Sequence, residues 1–177
     1  MDKHALRKHI AEKRAVLSDE YLRSAGKVIA SKAASSEAFK GAQCVFIYAS
    51  CKGEPDTYAL IKEALAAGKT VLVPKCRKKP HMDAVRIFSE DDLAPGSYGI
   101  CEPFSDEPYP KDRIDLAVIP CVSAGLNGRR LGHGGGYYDV FLKDTKAVKM
   151  CLCFKELLSD DIPAEQHDVQ MDLVITD

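Results

Sequence analysis

The sequence predicts an α/β fold: a single doubly wound, mostly parallel sheet flanked by helices, with an N-terminal helical pair. Three observations carry this. The runs "CVFIYA" (44–49), "TVLVP" (70–74) and "IDLAVIP" (114–120) are almost continuously apolar, as in strands covered on both faces. Between the first two lies "DTYALIKEALAAG", an amphipathic helical segment closing at Gly68. A strand–helix–strand unit of this length demands parallel pairing and a right-handed crossover. The 177 residues are 46% hydrophobic and 29% charged, which suits one domain spanning 1–177. At this size roughly 70% of the unfolded chain's surface can be buried without staples.

Taken in order, Leu6, Ile10, Arg14 and Leu17 follow helical spacing with one apolar stripe. Ser18 offers a cap, and Asp19 and Glu20 suit the positive end of a second helix. That helix should bury Leu22, Ala25, Val28 and Ile29 and end near Ser35. The stretch from Lys75 to Lys111 is rich in proline; "AVRIF" (84–88) reads as a strand and "LAPGSYGICEP" as a loop with turn chemistry. "YYDVFLK" continues as a helix, and "AVKMCLCF" (147–154) and "DLVITD" (172–177) complete five or six strands.

The totals exclude several classes. A net charge of −1 gives no global electrostatic case for nucleic acid or a membrane surface. No apolar run approaches the roughly 18 residues of a membrane span. The N-terminus is charged and lacks the apolar core of a signal peptide, so a cytoplasmic location is expected. The 7 cysteines include no CxxC pair, and Cys44 and Cys121 fall in or beside buried strands. They read as reduced structural thiols rather than a zinc or redox site.

In open α/β sheets ligands bind beyond the carboxyl ends of the strands. Three polar clusters fall there: "SCKGEPDT", "PKCRKKP" and, after "IDLAVIP", the stretch "GRRLGHGGGYYD" (128–139). The last lacks P-loop order and is not a GxGxxG directly after a strand. Its glycines precede a helix, so bare amides could face an anion. Arg129 and Arg130 are fork-shaped donors for phosphate, and Asp139 is a hard ligand suited to Mg²⁺. The ordinary alternative is a structural turn.

The run "RLGHGGGYYD" resembles the signature of the 5-formyltetrahydrofolate cyclo-ligases, or 5,10-methenyltetrahydrofolate synthetases. "KHALR" (3–7), "GEPDT" (53–57), "YGICEP" (98–103), "IDLAVIP" and "IPAEQHDVQMDLVITD" look like the same family's landmarks in order. The resemblance implies closure of 5-formyltetrahydrofolate to 5,10-methenyltetrahydrofolate with ATP as co-substrate and Mg²⁺ as cofactor. It implies ATP contacts from Lys3, His4, Ala5, Leu6 and Arg7, and from Arg130, Leu131, Gly132, His133, Gly134, Gly135, Gly136, Tyr137 and Tyr138. Folate would meet Ala49, Glu54, His133, Gly134, Gly135, Gly136 and Tyr137, with Arg130 and Glu54 catalytic and Asp139 and Asp168 holding the metal. The basic run 75–80 would attract a polyglutamylated tail. A monomer with no nucleic-acid or membrane partner is expected.

Each assignment has a plain counterpart. Lys3 and Arg7 could be a solvated basic face, Glu54 a loop charge, Asp168 a turn cap and 75–80 a solvated loop. The chain also departs from the family pattern at Cys121, Ala124, Gly125 and Leu157. Those changes keep open a nucleotide-binding homologue without catalysis, and the resemblance of the family's fold to that of sugar-phosphate isomerases keeps that enzyme class open as a second rival.

Overall fold

A computed structural model describes residues 1–96 and 99–177. Six strands form the central sheet: β1 (Cys44–Ile47), β2 (Thr70–Cys76), β3 (Met82–Ile87), β6 (Leu116–Ile119), β9 (Val148–Leu152) and β10 (Leu173–Ile175). Their spatial order is β10-β9-β6-β1-β2-β3. All neighbours are parallel except β3, which turns back antiparallel along β2. The strand direction of travel reverses between β1 and β6, which makes that junction the switch point of a doubly wound sheet.

Two aspartates set the register. Asp115, just before β6, accepts the Gln43 and Cys44 amides at 2.9 Å each. Asp172, just before β10, accepts the Lys149 amide at 2.8 Å. Both satisfy backbone donors where a ladder begins and nothing else can pair with them.

The N-terminal pair comprises α1 (Lys3–Ala15) and α2 (Asp19–Ser35), capped by Asp2 and Ser18 as their side-chain oxygens accept amides of the first turn. The α2 stripe is Ala25, Gly26, Ile29 and Ala33; Val28, expected inside, is exposed, because that stripe runs along the other side of the helix. A short helix not expected from the sequence, α3 (Glu37–Gly41), seats Phe39 in the core.

Helix α4 (Tyr58–Ala66) makes the β1–β2 crossover, and α5 (Tyr137–Leu142) lies in the β6–β9 crossover. The two crossovers run in opposite directions along the sheet, so right-handedness puts their helices on opposite faces. Phe46 of β1 stacks on Phe141 of α5 with ring centroids 4.7 Å apart. Val45 and Ile47, pointing the other way by the period of two, are fully buried beneath the opposite layer.

"LAPGSYGICEP" is not simply loop. Strands β4 (Leu93–Pro95) and β5 (Cys101–Pro103) pair antiparallel within it, while Ser97 and Tyr98 of that stretch lie outside the described residues. A second small pair, β7 (Ser123–Ala124) and β8 (Arg130–Leu131), stands between β6 and the glycine loop. Among the described residues no helix is long and apolar enough to cross a membrane.

Candidate active site

Residues 132 to 136, glycine except for His133, connect β8 to α5 just beyond the switch point. Gly134 and Gly136 have φ of +88° and +75°, the left-handed region that side chains avoid. The helix that follows has only 6 residues, so the loop's polarity comes chiefly from its amides and its cationic neighbours, not from a long helix dipole. Helix α1 braces the loop: Arg7 Nε donates to the Gly132 carbonyl at 2.8 Å.

The loop after β1 is built around Thr57, fully buried. Its hydroxyl donates to the Tyr48 carbonyl and accepts the Ser50 amide at 3.0 Å, while Ser50 Oγ accepts the Thr57 amide at 3.1 Å. This lock gathers 50–57 into a compact turn. Thr57 therefore does not cap α4; Asp56 accepts the Tyr58 amide instead. Glu54 closes the turn by accepting the Cys51 amide at 2.8 Å, and its side chain is only 12% exposed. Its other oxygen stands 3.5 Å from His133 Nε2. The β1 loop and the glycine loop thus meet across the switch point, and Ala49 is buried just past the end of β1.

Arg130 leaves β8 inward. Its side chain is 4% exposed, and Nη2 donates to both Asp139 oxygens at 3.0 Å. Nη1 reaches the Pro120 carbonyl at 3.3 Å, and the guanidinium lies 5.8 Å from the Tyr138 ring centroid. Burial and the nearby Glu54 carboxylate push the Tyr138 phenol up, so it remains a neutral donor. Arg130 Nε is buried without a hydrogen-bond partner among the described residues. Arg129, read from sequence as a companion, faces outward and reaches the Ile162 carbonyl at 3.2 Å.

The C-terminal segment completes the rim. Lys3 Nζ lies 2.7 Å from both Asp168 oxygens and 2.7 Å from Glu165 Oε2. Burial draws the Asp168 carboxyl up, but the Lys3 ammonium and the Glu165 amide outweigh it and hold the group below its usual range. Asp168 is also a turn cap, since Glu165 N donates to it at 2.6 Å. Asp139 Oδ1 accepts the Val169 amide at 3.2 Å, so the two sequence-predicted metal residues lie on touching segments. Glu165, which sequence reasoning missed, forms with His167 and Asp168 a cluster whose ligand atoms lie within 4.8 Å of one another. Its signal was available: an acid three residues before Asp168 across a tight turn.

The basic run divides. Lys75 donates to the carbonyls of Pro103, Phe104 and Ser105 and pairs with Asp106; Arg77 pairs with Asp83 and Asp106. These two cations hold the segment after β5, and only Lys78 and Lys79 are exposed. The departures from the family pattern are structural in position. Cys121, Ala124 and Leu157 are buried in the core, and Gly125 forms the β7–β8 turn through its bond to the Arg129 carbonyl.

Comparison with known proteins agrees with this architecture along its length. The model of the 5-formyltetrahydrofolate cyclo-ligase family matches residues 1–177. The 5-formyltetrahydrofolate cyclo-ligase of Mus musculus is 29% identical over 188 residues, covering 98% of this chain and 92% of that protein. That of Saccharomyces cerevisiae is 32% identical over 151 residues, with 70% of each chain covered. The NMR structure of Aquifex aeolicus 5,10-methenyltetrahydrofolate synthetase superposes with a TM-score of 0.87 at 32% identity, covering 99% of this chain and 90% of that one. With its whole length matched and its fold shared, the chain belongs to the 5-formyltetrahydrofolate cyclo-ligase family.

Proposed function

We propose that this protein uses ATP and Mg²⁺ to close 5-formyltetrahydrofolate into 5,10-methenyltetrahydrofolate. The observation that carries the reading is the meeting of Glu54 and His133, which joins the expected folate loop to the expected phosphate loop at the switch point. A formamide oxygen is too poor a leaving group for N10 to expel. Attack of that oxygen on the γ-phosphorus releases ADP and leaves an imidate phosphate. N10 then adds to the formyl carbon, inorganic phosphate departs, and N10 gives up its proton. Such chemistry asks the protein mainly for position and charge neutralisation. In this reading Lys3, Arg7, Arg130 and the amides of 132–136 face the phosphates, and Tyr137 lies against the pterin.

The acidic residues fit a hard divalent cation. Asp139 and Asp168 offer carboxylate oxygens at 21% and 22% side-chain exposure, and each keeps lone pairs beyond its present hydrogen bonds. His167 is the wrong ligand type for Mg²⁺. A cation bound there would neutralise phosphate charge. Arg130 and Lys3 balance the two carboxylates; a cation held by Asp139 and Asp168 would share that charge and leave both basic groups available to phosphate oxygens.

The deciding assay supplies 5-formyltetrahydrofolate with Mg²⁺-ATP and follows methenyl absorbance and ADP together. Both products are expected. Nucleotide binding without either product would support the catalytically silent rival.

Glu54 is expected to accept N–H donors of the reduced pterin, since an ionised carboxylate only accepts. Glu54→Gln should raise the folate KM at least tenfold while MgATP binding stays within twofold. Wild-type activity at low folate would remove this role. Lys78 and Lys79 are the exposed cations through which a polyglutamate tail could be attracted. Neutralising both should weaken triglutamate substrate about three- to tenfold more than monoglutamate, less at high salt; equal effects would exclude the idea.

A further inference from the structure

A cleft of about 230 Å³ opens beside the glycine loop, lined by Arg7, Ile10, Ala11, Arg14, Val122 and His133. Arg7 and Arg14 lie two turns apart on the inner side of α1, and His133 comes from the glycine loop. The lining contains two guanidinium groups and no carboxylate. Arg7 uses Nε on the Gly132 carbonyl. Arg14 is half-buried, with no side-chain hydrogen bond or ion pair to any described residue. A side chain added at Gly53 would approach Arg14 Cδ at 3.9 Å, so the arginine stem passes beneath the turn that carries Glu54. Its field reaches Cys153, but hydrogen bonding to Cys121 and burial keep that thiol neutral, so it supplies no countercharge.

A partly desolvated guanidinium without an acceptor is unfavourable unless an anion completes it. The place of this one is informative. His133 brings the loop read as the phosphate cradle to the cleft wall, and the Arg14 stem runs against the turn read as the folate site. A phosphoryl group transferred from nucleotide to formyl oxygen would sit near this junction.

We propose that Arg14, with Arg7, forms an oxyanion subsite that binds the γ-phosphoryl group of the nucleotide and holds the inorganic phosphate formed from it. The inference rests on the ATP-dependent reading above and adds to it a residue outside the expected ATP and folate contacts. Arg14 offers two-point recognition of phosphate oxygens, which lysine cannot reproduce.

The test titrates inorganic phosphate by calorimetry into the full chain holding MgADP, comparing wild type with Arg14→Met and Arg14→Lys. Circular dichroism and melting temperature check the fold. The expected result is phosphate binding weakened at least tenfold in Arg14→Met and partly retained in Arg14→Lys. MgADP affinity should stay within twofold of wild type. Three outcomes overturn the subsite: no phosphate binding to wild type, equal binding in Arg14→Met, or an equal loss of MgADP and phosphate. A fourth would assign the cleft to a carboxylate instead: unchanged phosphate affinity with a raised KM only for polyglutamylated folate. Arg14-dependent phosphate binding in a protein that forms no methenyl product would sink the proposed reaction and leave the anion subsite standing.

Discussion

Arg130→Ala is expected to lower both the stability of the protein and its use of ATP. The side chain is 4% exposed and makes the bidentate contact with Asp139, which is itself 21% exposed. Truncating one partner of a buried pair costs about 3–5 kcal/mol, because the other charge is left behind. Partial exposure of Asp139 puts this case near about 3 kcal/mol. For a chain of this length about 1 kcal/mol moves the melting temperature by about 2–4 °C, so a fall of roughly 6–12 °C is expected. On ATP the loss of a charge-assisted donor, about 1.5–3 kcal/mol, implies at least a tenfold drop in kcat/KM. Arg130→Lys separates the two effects, because it keeps the charge but not the fork. It should recover much of the stability and little of the ATP use. Scanning calorimetry and steady-state kinetics in MgATP check both halves; unchanged ATP dependence in a folded Arg130→Ala protein would remove the assignment to phosphate.

Gly128→Ala is expected to have a comparable effect by a different route. Gly128 has φ of +84°, and a Cβ there would lie 2.5 Å from the Met171 carbonyl oxygen, a backbone atom that cannot rotate away. Backbone strain in the left-handed region costs about 1–3 kcal/mol before any clash. Relief requires the 170–171 backbone to move, which breaks the 2.8 Å bond from Met171 N to the Gly128 carbonyl. That displacement propagates to Asp168 and Glu165 and hence to Lys3. A melting temperature at least 6 °C lower is expected, from about 3 kcal/mol at about 2–4 °C each, together with a raised Mg²⁺ requirement. Gly68→Ala is the control: φ is +73°, but nothing lies within 4 Å of the added carbon. If the two variants melt within a degree of each other, the clash is not what fixes this turn.

Much of this was legible in the chain because it depends on local pattern. Continuous apolar runs located the β1, β2 and β6 strands, since a strand covered on both faces has no polar side to show. Ser18 and Gly68 marked helix ends through capping chemistry that acts within a few residues. The glycine loop was visible because only glycine tolerates two left-handed positions in three residues. Where the sequence misled, long-range contact decided. Val28 looked apolar enough to bury, but only packing says which side of a helix meets the sheet. "LAPGSYGICEP" reads as turns, yet Leu93 to Pro95 find strand partners in Cys101 to Pro103.

By itself, then, the sequence determined the fold class, the position of the glycine loop and the residue types gathered near it. Only the tertiary structure decided their pairing. Arg130 is tied to Asp139 and Lys3 to Asp168 over 165 positions, Lys75 and Arg77 are engaged in holding a neighbouring segment, and Arg14 is left facing a cleft without a hydrogen-bond or ion-pair partner among the described residues. The physical reason is that charge has no period. A hydrophobic stripe repeats and announces its element, whereas an ion pair depends on distances that exist only once the sheet has brought remote loops to one rim.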